Sequence, residues 1–239
     1  MKTETHTFKQ STLCRTLEKI YGITHNGICA ALSIVLLRLM SEKTTTVCTP
    51  RFAFEIAKNF CRVLDCIPAK THDLIYYEIL KELYYTQNKD GLVCKRTLTC
   101  YEQIINKNIG VFNLDSDVTM LPDNLIAFMS LTKPFPSPYH HAAVLVWDSE
   151  SIFLFDPNRG AILLEDIDRT NHPKNGDMLS HFWMNWSGGD AIQTGVTPTF
   201  EVHSIRDIKK FNYSKNAIDY HTFDNVSRLS ILSPLFYQG

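Results

Sequence analysis

Between Gly27 and Met40 the chain is apolar on almost every side, interrupted only by Ser33 and Arg38. That pattern predicts a helix enclosed by the rest of the fold. The run is too short to cross a bilayer, which takes about 20 residues as a helix. Ile56, Ala57, Phe60, Cys61 and Leu64 then recur at helical spacing, as do Ile75, Ile79, Leu80 and Leu83 after a candidate N-cap at Thr71. Both segments predict amphipathic helices packed on a core. Beyond Leu121 the apolar runs shorten to Leu125–Leu131, Ala142–Trp147 and Ile152–Phe155, separated by Pro, Ser or Asp clusters. These predict adjacent antiparallel strands. Met178–Trp186 reads as one more helix and Thr199–Ile205 as one more strand. Helices followed by a segregated antiparallel sheet predict an α+β domain.

Composition narrows this picture. The chain has 239 residues, of which 44% are hydrophobic and 21% charged, enough to bury a core and too apolar for a disordered protein. There are no internal repeats and no Gly/Ser linker, so one domain over residues 1–239 is expected. Lys and Arg number 24 against 25 for Asp and Glu, which leaves no net positive field to draw the chain onto nucleic acid or anionic lipid. Neither nucleic-acid binding nor stable membrane insertion is expected. The polar start, Met1–Ser11, lacks the basic-then-apolar pattern of a secretory signal. The apolar end, Leu229–Tyr237, is expected to dock on the domain.

Seven cysteines, all within the first 100 residues, are odd in number, so reduced thiols are expected rather than a disulfide framework. Cys29 stands apart because it falls in the first turn of the enclosed helix. A helix N-terminus carries roughly half a unit of positive charge and free N–H groups, which favour thiolate over thiol. Gly27 lets a substrate backbone come close, the N–H of Cys29 is placed to donate to an oxyanion, and Asn26 is a candidate second donor. Against this stands the plain packing role that buried cysteines often have. The other pairs, Cys61 with Cys66 and Cys94 with Cys100, lack the tight C-x-x-C spacing of common zinc sites. No metal or cofactor is expected.

A thiolate nucleophile needs a base and a group to orient it. His140 and His141 open the strand ending at Trp147, and Asp156 closes the strand beginning at Ile152. If Asp148–Ser151 forms a two- or four-residue hairpin loop, Trp147 pairs with Ile152, and Ala143 comes opposite Asp156. His141 and Asp156 then share one face as diagonal neighbours, while His140 points the other way. A three-residue loop would reverse the parity and favour His140. Asp156-Pro-Asn-Arg-Gly160 also reads simply as a turn, since each of these residue types favours one. A His140–His141–Asp156 metal site is disfavoured because adjacent strand residues face opposite ways.

Three blocks together, Gly27-Ile-Cys29-Ala-Ala-Leu32-Ser33, His141-Ala142 and Phe155-Asp156-Pro157-Asn158-Arg159-Gly160, resemble the YopT/AvrPphB family of bacterial effector cysteine proteases. The resemblance implies a single papain-like catalytic domain, with the nucleophile on a buried helix packed against an antiparallel sheet. It implies a Cys29–His141–Asp156 triad acting through an acyl-enzyme, as a thiol endopeptidase on a host-cell protein. Phe155 and Asn158 read as packing and turn residues. Papain-like sites also support acyl transfer, transglutamination or deamidation, which stay open here, whereas a dead binding module is disfavoured because all three residues are present. A monomer is expected, delivered into a host cell by a signal-peptide-independent system or retained in the bacterial cytoplasm. The chain departs from the family in its doubled His140-His141 and in lacking an assigned second oxyanion donor. The resemblance does not reach the last 75 or so residues.

Overall fold

The computed structural model describes residues 1–22, 27–43, 48–86, 105–113, 125–133, 139–168 and 199–205. Four helices, α1 (Ser11–Tyr21), α2 (Cys29–Lys43), α3 (Pro50–Cys66) and α4 (Leu74–Thr86), accompany seven strands. The strands are β1 (Lys2–Thr7), β2 (Ile105–Asn113), β3 (Leu125–Lys133), β4 (Tyr139–Trp147), β5 (Ile152–Asp156), β6 (Gly160–Glu165) and β7 (Thr199–Ile205). They form one antiparallel sheet in the order β1-β6-β5-β4-β3-β7-β2. The architecture is mixed α+β, as the order of apolar patterns predicts. The expected helix at Met178–Trp186 and the apolar end Leu229–Tyr237 lie outside the described residues. Among the described residues, no helix is long and apolar enough to cross a membrane.

Helix α2 is enclosed as its all-round hydrophobicity requires, with residues 31–40 buried, including Ser33 and Arg38. It packs on β4, α3 and α4. The N-terminus of α3 is set by Thr49, whose Oγ1 accepts from the Phe52 N–H at 3.3 Å, and by Pro50 in the first helical position. Its apolar face, including Ala53, Phe54, Ala57, Phe60 and Leu64, is buried against β5 and β6, where the Phe60 ring meets Phe155 edge-on. Thr49→Ala is expected to destabilise the protein by about 1 kcal/mol in urea unfolding, because one orphan N–H of the helix loses its acceptor. An unchanged midpoint would show that water replaces the cap. Helix α4 begins at Leu74 rather than after Thr71, with the Tyr77 N–H donating to the Asp73 carbonyl at 2.9 Å.

Four elements lie outside what hydrophobic periodicity predicted. Strand β1 reads Lys-Thr-Glu-Thr-His-Thr and has no apolar face to reveal it. It pairs along its whole length with β6. Its Glu4 meets Arg51 and Lys58 of α3, and Arg51 also grips Glu165 of β6. These guanidinium and ammonium partners hold the Glu4 carboxyl below its ordinary range. Helix α1 buries only Leu13, Thr16 and Leu17, and ends on Gly22 in the left-handed region, whose N–H returns to the Glu18 carbonyl. Strands β2 and β6 complete the set.

Candidate active site

The β4–β5 hairpin decides which histidine meets Asp156. Asp148 closes a four-residue loop: its N–H donates to the Ser151 carbonyl at 3.1 Å, and its Oδ1 accepts from the N–H groups of Glu150 and Ser151 at 3.0 and 2.8 Å. Trp147 therefore pairs with Ile152, and Val144 with Phe155. The ladder ends there, since Asp156 turns to pair with Gly160 of β6. The parity nevertheless carries past the last pair: His141 Nε2 lies 2.8 Å from Asp156 Oδ1, and both residues are buried. His140 pairs with Thr132 of β3, and its side chain lies outside the described residues.

Asp156 is held by its own turn. The Arg159 N–H donates to the Asp156 carbonyl at 2.9 Å, and the Asn158 N–H donates to Asp156 Oδ1 at 2.8 Å. The same carboxylate oxygen thus serves both the turn and the imidazole. Turn chemistry and carboxylate placement are one structure here, so the two sequence readings of Asp156–Gly160 do not compete. Gly160 adopts φ +106° where β1 crosses closely, and a Cβ there would sit 2.0 Å from the His6 carbonyl oxygen. Only glycine fits.

Cys29 enters from the first turn of α2. Ile28 caps that helix, its carbonyl accepting from the Leu32 N–H at 3.0 Å. Gly27 precedes it at φ +146°, a conformation that favours glycine. Burial alone would push the Cys29 thiol up, but a hydrogen bond and the charge of His141, with backbone help from Ala142 and Ala30, hold it below its ordinary value. Burial would likewise disfavour the imidazolium, yet bonds to Asp156 and Cys29 raise His141 to about 10. The two shifts are reciprocal, since each charge favours the other.

The remaining described cysteines contrast with this one. Burial, with the negative Asp65 nearby, pushes Cys61 well above the ordinary thiol range, and burial also raises Cys14. Cys14, Cys29, Cys48, Cys61 and Cys66 are all free thiols. Cys94 and Cys100 lie outside the described residues, as does Asn26, the candidate second oxyanion donor. Among the described residues, no cluster of three or more His, Cys, Asp and Glu side chains is arranged to hold a metal ion.

Sequence reasoning passed over Gln10. Its side chain is buried, with Oε1 accepting from the Ile28 N–H at 2.8 Å and Nε2 donating to Asn158 Oδ1 at 2.6 Å. No local signal marks it, because a single glutamine ahead of a helix is unremarkable in sequence.

No protein-family model matches the chain, and no curated protein sequence matches it either. Among solved structures, the crystal structure of the Pseudomonas avirulence protein AvrPphB is similar to it at 13% sequence identity. The match covers 75% of this chain and 92% of that one, with a TM-score of 0.37. That is a weak and partial likeness of fold, and the chemistry rests on the residues themselves.

Proposed function

We propose that the chain is a thiol endopeptidase of papain-like type, with Cys29 as nucleophile, His141 as general base and then acid, and Asp156 as the group that orients the imidazole. The observation that carries this reading is the buried His141–Asp156 bond, with Cys29, at the start of α2, held below its ordinary thiol range by the same imidazole. A packing cysteine needs no such partner. In the proposed reaction the thiolate attacks a peptide carbonyl, and the Cys29 N–H donates to the developing oxyanion. His141 gives its proton to the leaving amine as the C–N bond breaks. Water, deprotonated by His141, then releases the acyl group and restores the thiolate–imidazolium pair. Asp156 keeps Nε2 engaged, so that Nδ1 alone exchanges protons with sulfur and substrate. A host-cell protein as substrate, and delivery into that cell, are what the sequence resemblance implies.

Two measurements test the reading. Iodoacetamide at pH 7 is expected to alkylate Cys29 ahead of Cys14, Cys48, Cys61 and Cys66, as mapped by peptide mass, because among the described thiols only Cys29 is lowered by a histidine. Equal labelling of all five would overturn the nucleophile assignment. In a eukaryotic cell lysate, the wild-type protein is expected to create new peptide N-termini that Cys29→Ala does not. A gain of about one dalton at glutamine, or the addition of an amine, without new termini would replace peptidase by deamidase or acyltransferase.

A further inference from the structure

We propose that Gln10 is a positioning residue for Cys29 and His141, the middle link of a ring of interactions that joins the nucleophile's helix to the turn carrying the carboxylate. The inference rests on the function proposed above and adds to it a residue from outside the three sequence blocks. The ring can be followed bond by bond. Starting at the peptide before Cys29, the Ile28 N–H donates to Gln10 Oε1 at 2.8 Å, and Gln10 Nε2 donates to Asn158 Oδ1 at 2.6 Å. The Asn158 N–H donates to Asp156 Oδ1 at 2.8 Å, and that oxygen lies 2.8 Å from His141 Nε2. His141 in turn lowers the thiol of Cys29, one residue from the start.

The orientation of the Gln10 amide follows from chemistry. A backbone N–H can only donate, so the atom facing Ile28 is oxygen, and the NH₂ group must point to Asn158. Both ends of the amide are therefore committed to protein partners. The backbone reinforces the same bridge: the Gln10 N–H donates to the Pro157 carbonyl at 2.8 Å, and the Phe8 N–H to the Arg159 carbonyl at 3.2 Å. Ile28 is fully buried, so its N–H has no water to replace Gln10 Oε1. The Gln10 side chain also lines Gly27, with Oε1 3.6 Å from where a Cβ would stand.

Cys29 and Asp156 lie on elements far apart in sequence, and nothing within either element fixes their separation. Gln10 spans that gap from a third element. Removing it is expected to free the N-terminal end of α2 from the Asp156 turn and so to weaken the influence of His141 on the Cys29 thiol. Among the described residues, the titratable groups acting on the Cys29 sulfur are His141 from β4 and Cys14 from α1, and Gln10 itself carries no charge.

The test is a double-mutant cycle read by the pH midpoint of Cys29 alkylation with iodoacetamide, on the full chain. Gln10→Ala is expected to move that midpoint upward and to slow alkylation at pH 7 by about tenfold to a hundredfold, the scale of a small misplacement of reacting groups. Asn158→Ala, which opens the same ring at its next bond, is expected to move it in the same direction, and the double variant to add little to Gln10→Ala. A packing role for Gln10 would lower the unfolding temperature and leave the midpoint where it was. That outcome, or full additivity, overturns the proposal. If Gln10→Ala does not fold, Gln10→Glu keeps the acceptor for Ile28 but, when ionised, cannot donate to Asn158 and adds negative charge. Its midpoint is expected to rise, and an unchanged one overturns the proposal equally. Failure of the peptidase reading is seen separately, as a wild-type protein that cleaves nothing while its alkylation still responds to Gln10.

Discussion

His141→Ala is expected to slow alkylation of Cys29 at pH 7 by about a hundredfold, because a buried thiol without its imidazolium returns to the ordinary range or above it and is about 1% thiolate at that pH. The shape of the pH profile carries more than the single rate. In the wild type, His141 gains stability as a cation and Cys29 as an anion, so the reactive pair persists from the lowered Cys29 value up to about 10, where the imidazole gives up its proton. Alkylation is expected to fall as pH drops through the Cys29 value and to hold level above it. In His141→Ala the level region disappears, and the rate climbs about tenfold per unit until the thiol ionises. Peptide cleavage is expected to drop by about 10⁶-fold, as when a member of a nucleophile–base pair is removed. Parallel profiles for the two proteins would sink the assignment of His141.

The sign of the stability linkage follows from the same shifts. His141, raised from 6.5 to about 10, contributes stability that is fully present below pH 6.5 and is lost as pH rises through about 10. Cys29, lowered from 9.0, contributes stability present above pH 9.0 and lost as pH falls through its folded value. The interval between the two folded values is where the pair is charged and reactive.

Gly160→Ala is expected to cost the fold more than any other single methyl addition at a described glycine. Its φ of +106° is strained for any side chain, and the added Cβ would meet the His6 carbonyl oxygen at 2.0 Å and the Phe8 nitrogen at 2.7 Å. Both are backbone atoms, so relief requires β1 to separate from β6 where Thr7 pairs with Gly160. A loss of about 4 kcal/mol or more is expected, a large share of the roughly 5–15 kcal/mol that holds a domain together. On a chain of this size that is a fall of about 10 °C or more in melting temperature. Gly22→Ala is the control: φ is +65°, nothing lies within 4 Å of the added carbon, and the expected cost is only about 1 kcal/mol. Equal costs at the two sites would mean that β1 yields freely, and the clash would not matter.

The parts of the fold that could be read in advance are those where one side-chain pattern has one solution. Helix α2 had to be enclosed because it offers water almost no polar face, and α3 declared its buried stripe through Phe60, Cys61 and Leu64. Strand β1 was illegible for the opposite reason. It is polar on both faces and is a strand because β6 offers it hydrogen bonds and α3 offers Glu4 two cations. Helix α1 shows too few buried positions for its period to stand out.

The site divides along the same line. Sequence by itself determined the chemistry on offer: a thiol at a helix start, and a histidine and a carboxylate on consecutive strands whose parity depends on one loop. Local rules suffice for that, because a helix dipole acts within one turn and side chains alternate along a strand. The tertiary structure decided the rest. Asp148 fixed the loop at four residues and so set His141 against Asp156, and the packing of α2 on β4 put the helix that begins at Cys29 beside the strand that carries His141. Gln10, with no motif to announce it, joined the two halves. Distances between elements far apart in sequence are set by the packing of the whole chain, and no local pattern encodes them.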